Sequence, residues 1–474
     1  MGNLFKKLND PGTTPAFYLF DKKGEKTVVS FQQFASDIQH FIFVLSEKIT
    51  SLKGAHIAVI AHSSYHYIVC MYAIIGAGAV FVPLNIEKSQ RELCSEIDKA
   101  DINYIVHDGA CCEMEQILCS QYAGKLIDIQ EYRNVSDSRG WEEREPDELS
   151  IILFTSGTTD SSKGVAVPYR AVETNAAATA WVLTEIRERS NMGEMNGFFC
   201  IPLYHTYGIS SAMGCLFAGF TLSLCSDRKN ILRDIVLSQA NFTAMVPVML
   251  KSLGRFLENG HPEKLGQLKE IVSAGALCQP EIYDNYLKYG IHIRNIYGLT
   301  EYTYCSVNFT DDYYRKTHSV GRPYGDTQLS ISEGEILLKG SSLMKGYYND
   351  AEATSDAIRD GWFHTGDLGY LDEEGYLYLT GRLKNVIILS SGENVSPEEL
   401  EGYLLRNEAI KETVVKEKNG RICAEIFCEA SDQDRIRDFV QEVNREIALY
   451  KRITWIEFRS TPFPKTGNGK IKRI

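Results

Sequence analysis

The stretch from Phe154 to Val165, FTSGTTDSSKGV, limits what this chain can be. An apolar run, Ile151-Ile152-Leu153-Phe154, leads into it and reads as a buried strand. From Thr155 to Ser162 every side chain is small or polar, so the segment cannot build a core and reads as a loop. Its glycine, Gly157, and Gly164 just beyond permit positive φ and close backbone approach, so successive N–H groups can converge on one anion. Thr155, Ser156, Thr158 and Thr159 add hydroxyl donors, and Lys163 adds a mobile positive charge. Together they describe a cradle for a polyphosphate. A solvated Ser/Thr-rich surface loop is the competing reading, and the strand before it and the lysine after it weigh against that. The common motif GxxxxGK followed by Ser or Thr fails, because Ser162 stands at its second glycine and Gly164 at its hydroxyl. The strand–loop–helix fold that accompanies that motif is therefore not expected.

At 474 residues the chain predicts two or more domains. Its net charge of −12 argues against nonspecific binding to nucleic acid or an anionic membrane surface, so an anionic ligand needs local cations such as Lys163. The 12 cysteines form no CxxC pair and no zinc-like cluster, and read as buried thiols in a reducing, cytoplasmic setting. The start, MGNLFKKLND, has no apolar signal core, and Lys6 breaks the myristoylation pattern. Gly208 to Ser226 is uncharged, but its glycines and hydroxyls predict a helix and a buried strand rather than a membrane span.

Helical patterns are expected at Val29–Ile49, Tyr65–Ile75 and Ala171–Ile186. Strands are expected at His56–Ala61, Tyr104–His107, Phe198–Leu203, Leu222–Cys225 and Ile271–Ser273. This alternation predicts an α/β fold with largely parallel sheets. Gly76-Ala77-Gly78 resembles a dinucleotide fingerprint, but Phe81 replaces its third glycine, and tight helix–strand packing is the expectation. After Asp326, short strands at Glu335–Lys339 and Tyr376–Thr380 predict a small β-rich subdomain. After Gly381, a helix at Pro397–Arg406, strands at Glu412–Lys416 and Ile422–Cys428, a helix at Asp434–Ile447 and a strand at Trp455–Phe458 predict a small α+β domain. The expected division is 1–381, a large N-terminal α/β unit of several subdomains, and 382–474, a mobile C-terminal domain, joined near Arg382-Leu383-Lys384.

The loop resembles the phosphate loop of the adenylate-forming (AMP-binding) superfamily, which includes acyl- and aryl-coenzyme A synthetases, luciferases and peptide-synthetase adenylation domains. Their pattern is TSGTTGxPKG; here Asp160 replaces the second glycine and Ser162 the proline. Asp160 either points outward or weakens ATP binding. Further motifs follow in the family's order. Pro202-Leu203-Tyr204-His205 resembles its PLxH stretch, which implies that His205 lies beside the acyl carboxylate and the thiol tunnel. No acid occurs between Phe198 and Thr221, whereas amino-acid-activating relatives place an aspartate nearby. Ser273-Ala274-Gly275-Ala276 matches the stretch lining the adenine and acyl pockets, which brings in Ser273, Gly275 and Ala276. Tyr297-Gly298-Leu299-Thr300-Glu301 matches completely. The resemblance implies that Tyr297 stacks on adenine, that Gly298 belongs to the ATP site with it, that Thr300 contacts the α-phosphate and that Glu301 holds Mg2+; a carboxylate beside a hydroxyl suits that hard cation. Asp367, in Gly366-Asp367-Leu368, and Arg382 match the ribose contacts. Lys384 matches the hinge, Gly392 the thiol-tunnel glycine, and Lys470, in Gly467-Asn468-Gly469-Lys470, the lysine that bridges the acyl carboxylate and α-phosphate.

The resemblance implies an acid–thiol ligase. ATP-dependent activation of a small-molecule carboxylic acid, fatty or aryl, gives an acyl-adenylate, and transfer to coenzyme A follows. Loading of an acyl carrier protein's phosphopantetheine, a luciferase-like oxygenase and a catalytically impaired regulatory relative are the alternatives. Intact Lys470, Glu301, Asp367 and Arg382 oppose the last. Tyr302 and Tyr304 either shorten the acyl pocket or pack into the core, while Gly208, Gly214 and Gly219 are expected to leave room.

Overall fold

The structure is a computed structural model that describes residues 4–109, 125–155, 162–225, 227–276, 278, 280–310, 316, 318–389, 394–465, 471 and 473. Among these, two compact units form, the larger from residues 4–328 and 338–363, the smaller from 329–337 and 364–473.

In the larger unit the strands, in chain order, are β1 (Pro15–Phe20), β2 (Lys26–Ser30), β3 (His56–Ile60), β4 (Val80–Pro83), β5 (Tyr104–His107), β6 (Leu126–Asp128), β7 (Leu149–Phe154) and β8 (Gly164–Pro168). They continue with β9 (Asn196–Phe199), β10 (Thr221–Leu224), β11 (Phe242–Met245), β12 (Glu270–Ser273), β13 (His292–Tyr297), β14 (Ser306–Val307), β15 (Ser319–Pro323) and β16 (Gly346–Tyr347). One sheet runs β15-β14-β13-β12-β11-β9-β10-β1-β2, the other β16-β8-β7-β4-β3-β5-β6. Pairing is parallel through both centres, as between β12 and β13 or β3 and β4, and antiparallel toward the edges, as between β13 and β14 or β7 and β8. That is the α/β alternation the sequence predicts. Central strands are apolar because both faces are covered: β3 buries Ile57, Ala58, Val59 and Ile60. The helix Tyr65–Gly76 is buried at every position except His66, so it has an apolar surface all round.

Two expected boundaries move. The N-terminal helix begins at Phe31, not Val29. Residues 26–30 instead form β2, with Val29 opposite Phe17, and Ser30 caps the helix by accepting from the Gln33 N–H at 3.1 Å. The strand expected to reach Leu203 stops at Phe199. Pro202 has no N–H for a ladder, the His205 N–H turns back to the Pro202 carbonyl, and the Leu203 N–H goes to Ser63 Oγ at 2.9 Å. At Gly76 a Cβ would lie 3.0 Å from Phe5 and Trp141, consistent with tight helix packing. Cys70, Cys215, Cys278, Cys305, Cys423 and Cys428 are buried, while Cys94, Cys200 and Cys225 are half-buried.

The smaller unit takes in residues 329–337, which turn through Glu333 and Gly334, both at positive φ, and the strand segments 364–371 and Leu377–Arg382 beside them. The C-terminal part is a three-stranded sheet, Glu412–Lys418, Arg421–Phe427 and Trp455–Arg459, under the helices Pro397–Leu404 and Gln433–Glu446. Ile436, Val440 and Val443 recur at helical spacing and are the buried face of the longer helix. Ser396 caps the shorter helix, with Pro397 in its first turn.

Candidate active site

The segment that follows Phe154 connects β7 to β8, its antiparallel neighbour. Phe154 lies opposite Gly164 in that antiparallel pair. The Thr155 N–H donates to the Lys163 carbonyl at 3.0 Å, and the Lys163 N–H donates to Thr155 Oγ1 at 3.4 Å. The connection is therefore a hairpin rather than strand–loop–helix. Ser156, Gly157, Thr158, Thr159 and Asp160 lie outside the described residues. At the exit, Ser162 Oγ donates to Glu96 Oε1 at 2.8 Å, and Lys88 Nζ donates to the same oxygen. Lys99 Nζ donates to the Ser162 carbonyl at 3.3 Å. Glu96, on the helix Gln90–Lys99, is 1% exposed.

β13 delivers Tyr297, which is buried, to a turn that holds Thr300 and Glu301 half-exposed at the strand's carboxyl end. That is where ligands gather in α/β sheets. The turn closes on itself: the Leu299 N–H donates to the Tyr302 carbonyl and the Cys305 N–H to the Tyr297 carbonyl, both at 2.9 Å. Gly298 makes this possible, because a Cβ there would sit 1.8 Å from the Thr303 carbonyl oxygen. One carboxylate oxygen of Glu301 accepts from the Tyr347 hydroxyl at 2.9 Å, and the ring of Tyr347 lies under the Lys163 ammonium, 4.6 Å from centroid to Nζ.

β12 ends at Ser273, whose buried Oγ has no hydrogen-bond partner among the described residues. Gly275, at φ 86°, and Ala276 follow it, exposed. His205 stands at the N-cap position of the helix Thr206–Phe217 without a side-chain capping bond, its ring edge-to-face with Tyr204 at 4.6 Å between centroids. That helix is tied to β12 by the Tyr207 hydroxyl donating to the Val272 carbonyl at 2.8 Å, and to the Thr300–Glu301 turn by a 3.1 Å bond between Thr206 Oγ1 and Thr303 Oγ1. So Thr155, Lys163, Ser273, Tyr297, Thr300, Glu301 and His205 all lie on strand ends or the turns beyond them, in one unit.

The tyrosines after Glu301 are core. Tyr302 is 0% exposed and donates to Thr327 Oγ1 at 3.0 Å; Tyr304 is buried edge-on against Tyr324, and burial raises its hydroxyl pKa against the opposing influence of Thr179 and Ser211. The glycines expected to leave ligand space serve packing instead. A Cβ on Gly214 would lie 2.1 Å from Thr179, and one on Gly208 2.3 Å from the Pro202 carbonyl oxygen; Gly219 turns the chain at φ 75°.

In the smaller unit Asp367 and Arg382 are direct cross-strand partners and form an ion pair; Asp367 is buried and Arg382 half-exposed. Thr365 Oγ1 accepts from the Asp367 N–H at 3.0 Å. Lys384 is exposed in the single turn Leu383–Asn385. Gly392 and Lys470 lie outside the described residues. Around Lys470 the chain is fastened on both sides. Lys465 bridges to Ile471 and pairs with Glu412 at 2.6 Å, and the Arg473 guanidinium binds the Glu401 carboxylate and the Val415 carbonyl. Burial pushes the Glu401 carboxyl up to about 7, against the opposing pull of Arg473.

Among the described residues no group of three His, Cys, Asp or Glu side chains gathers to hold a metal. Glu301 stands as a single half-exposed carboxylate with one oxygen already oriented. That donor set fits Mg2+, which binds through one or two carboxylates and takes its remaining oxygens from phosphates and water, rather than a cation needing an all-protein cage. Sequence reading missed Tyr347, Glu96, Glu401 and Arg473. Tyr347 follows a glycine in a two-residue strand, and Glu96 sits on an amphipathic helix, so neither carries a periodic or motif signal of its own.

Among the described residues no helix is long and apolar enough to cross a membrane. The chain is 29% identical over 443 residues to a 2-succinylbenzoate–CoA ligase from Bacillus mycoides, covering 89% of this chain and 88% of that one. A Bacillus cereus ligase of the same name is 28% identical over 449 residues, covering 89% and 88%. Two solved structures share the fold at a TM-score of 0.85 and 23% identity, each covering 100% of this chain and 97% of the other. They are o-succinylbenzoate CoA synthetase from Bacillus subtilis in complex with its acyl-adenylate intermediate, and ATP-bound MatB from Rhodopseudomonas palustris. A family model described as AMP-binding enzyme matches residues 5–348, from before β1 through β16, and takes in both sheets and the Thr300–Glu301 turn. The chain belongs to the AMP-binding enzyme family.

Proposed function

We propose that this enzyme activates a carboxylic acid lacking an α-ammonium group, forming an acyl-adenylate from ATP, and passes the acyl group to coenzyme A. The observation that carries the reading is the Gly298 turn. It places Thr300 and Glu301 at the end of β13, with Tyr347 reaching from Glu301 to Lys163 at the exit of the hydroxyl loop. In the first step the carboxylate oxygen attacks the α-phosphorus, the bond to the β-phosphate breaks, and pyrophosphate leaves. Negative charge grows on the α-phosphate oxygens, so fixed donors supply most of the rate. Thr300 and Lys470 are assigned to that charge, and Lys163, Thr155, Ser156, Thr158 and Thr159 to the β- and γ-phosphates. Mg2+ on Glu301, when bound, neutralises phosphate charge. Tyr297, Ser273, Gly275 and Ala276 are assigned to adenine, and Asp367 and Arg382 to the ribose. In the second step the thiolate sulfur attacks the acyl carbon, the carbon–oxygen bond to AMP breaks, and a thioester forms. His205 and Gly392 are assigned to that step, and Lys384 to the hinge between functional domains 1–381 and 382–474. We place the enzyme in the cytoplasm, where coenzyme A is the abundant thiol partner.

The relatives named for 2-succinylbenzoate make an aryl acid the first choice over a fatty acid. Burying an unpaired ammonium is expensive, and the His205 segment carries no acid to receive one. Carboxylate-dependent exchange of labelled pyrophosphate into ATP tests the whole reading. With 2-succinylbenzoate, 3-phenylpropionate against phenylalanine, and hexanoate against norleucine, the deaminated acid of each pair should lead by at least about tenfold, the worth of one unpaired polar group. No exchange with any acid refutes adenylation; preference for an amino acid refutes the substrate class.

A further inference from the structure

Tyr347 is held by two parts of the nucleotide region at once. β16 pairs with β8, Tyr347 opposite Val165, and the Tyr348 N–H donates to the Gly164 carbonyl at 2.7 Å, one residue after Lys163. On its other side the Met344 N–H donates to the Glu301 carbonyl at 3.0 Å. Gly346 has no side chain because Thr354 occupies that space: a Cβ would lie 2.5 Å from its methyl. Thr354 Oγ1 in turn accepts the Tyr347 N–H at 2.8 Å. The backbone of Tyr347 is therefore fixed relative to both the loop exit and the Thr300–Glu301 turn.

Its side chain then spans the two charges. The hydroxyl donates to Glu301 Oε1 at 2.9 Å, and the ring face carries the Lys163 ammonium 4.6 Å from its centroid. A carboxylate oriented through one oxygen by a neutral donor has its second oxygen to offer a cation. An ammonium resting on a ring face is held only weakly, since a cation–π contact at an exposed site yields to a phosphate. Without the ring, Lys163 and Glu301 are free to pair with each other, and each would then be lost to its ligand.

We propose that Tyr347 is a positioning residue that keeps Glu301 and Lys163 apart, the hydroxyl aiming the carboxylate and the ring holding the ammonium. The inference rests on the adenylation reading, which assigns those two residues to metal and phosphate. It separates hydroxyl from ring, and binding without turnover tests it. α,β-Methylene-ATP is titrated calorimetrically into the full chain, with Mg2+ varied and with EDTA. Tyr347→Phe keeps the spacer and loses the hydroxyl. It should raise the Mg2+ concentration for half-effect by about three- to tenfold, the range for one lost hydrogen bond to a charged group, and leave metal-free affinity within about twofold. Tyr347→Leu should also weaken metal-free binding by about fivefold or more, since the lysine is then captured. Adding Glu301→Gln to Tyr347→Leu should recover that metal-free loss. Equal effects of Phe and Leu, no effect of Phe on Mg2+ dependence, or no recovery in the double variant overturns the inference. If Tyr347→Leu does not fold, the Phe result alone decides. If the unsubstituted chain binds no analogue, the adenylation reading falls first and the inference with it; if it binds and the variants match it, only the inference falls.

Discussion

Ser162→Ala removes one oxygen atom, and the structure sets what that should cost. The hydroxyl donates to Glu96 Oε1 at 2.8 Å, the carboxylate is 1% exposed, and its other oxygen has no hydrogen-bond partner among the described residues. After the substitution, among the described residues, only Lys88 serves that carboxylate. A hydrogen bond to a charged group is worth about 1.5–3 kcal/mol, and a buried carboxylate cannot replace it with bulk water. In the family pattern the residue before the lysine is proline, which restricts the backbone; here a side-chain bond to the helix Gln90–Lys99 restrains it instead. Loss of that bond frees the exit of the hydroxyl loop next to Lys163, and the ordering then has to be supplied by the nucleotide. With about 1.4 kcal/mol per tenfold, the dissociation constant for MgATP should rise about tenfold, with about a hundredfold as the ceiling. Calorimetric titration with α,β-methylene-ATP and Mg2+ reads this directly. Glu96→Ala should weaken binding comparably, and in that background Ser162→Ala should cost less than about twofold, because residues sharing one interaction are not additive. Ser162→Thr keeps the hydroxyl and should bind within about threefold of the unsubstituted chain. Equal costs of Ser162→Ala with and without Glu96 would refute the latch.

Gly298→Ala should lower pyrophosphate exchange by at least about a hundredfold, since a misplacement of about 1 Å at a reacting site costs that much. Gly402→Ala, where a Cβ meets nothing within 4 Å, is the control, and near-equal activities would refute the argument. Lys470→Ala should abolish adenylation but spare thioester formation from supplied acyl-adenylate; equal loss of both half-reactions in a folded variant speaks against a role confined to the first. Asp160→Gly should lower the Michaelis constant for ATP about fivefold if the carboxylate costs of order 1 kcal/mol at the phosphates, and an unchanged constant means it points to solvent. Glu401→Gln addresses pH. Burial raises the folded carboxyl from 4.5 to about 7, so its favourable contribution is fully present below about pH 4.5 and is lost as pH rises through 7. The glutamine variant, neutral throughout, should gain thermal stability relative to the unsubstituted chain over that window, by at most about 3 kcal/mol. Parallel pH profiles would exclude Glu401 as the titrating group.

The sheets were legible because buried strands such as Ile57–Ile60 and Ile271–Ser273 are short, apolar and separated by helical patterns. The Thr300–Glu301 turn was legible because Gly298 has a backbone reason to be glycine, and such constraints survive in the letters. Local chemistry also explains the misreadings. Val28 and Val29 extend an apolar pattern into the helix, but Ser30 offers a cap and β1 an edge, and pairing wins. Leu203 looks like strand until Pro202 removes the donor. Gly208 and Gly214 are silent in sequence on whether they face ligand or protein; only the neighbours, Pro202 and Thr179, decide. Tyr347 and Glu96 were invisible because their partners, Glu301 and Lys163 in one case and Ser162 in the other, lie 46 to 184 positions away and follow no spacing rule.

The hairpin between β7 and β8 has an evolutionary consequence. Because Thr155 and Lys163 are already hydrogen-bonded neighbours, the sheet brings the loop's ends together whatever lies between them. Closure entropy changes only slowly with length and hardly at all with composition, so substitutions between the two ends leave strand register untouched. Ser162 is the exception, because it is tied to the buried Glu96 carboxylate. As far as strand register goes, selection on folding is nearly blind between the two ends. An aspartate at 160 is the kind of change the pairing of β7 with β8 tolerates. Variation between the two ends among related chains can then be read as a record of ligand preference rather than of strand register.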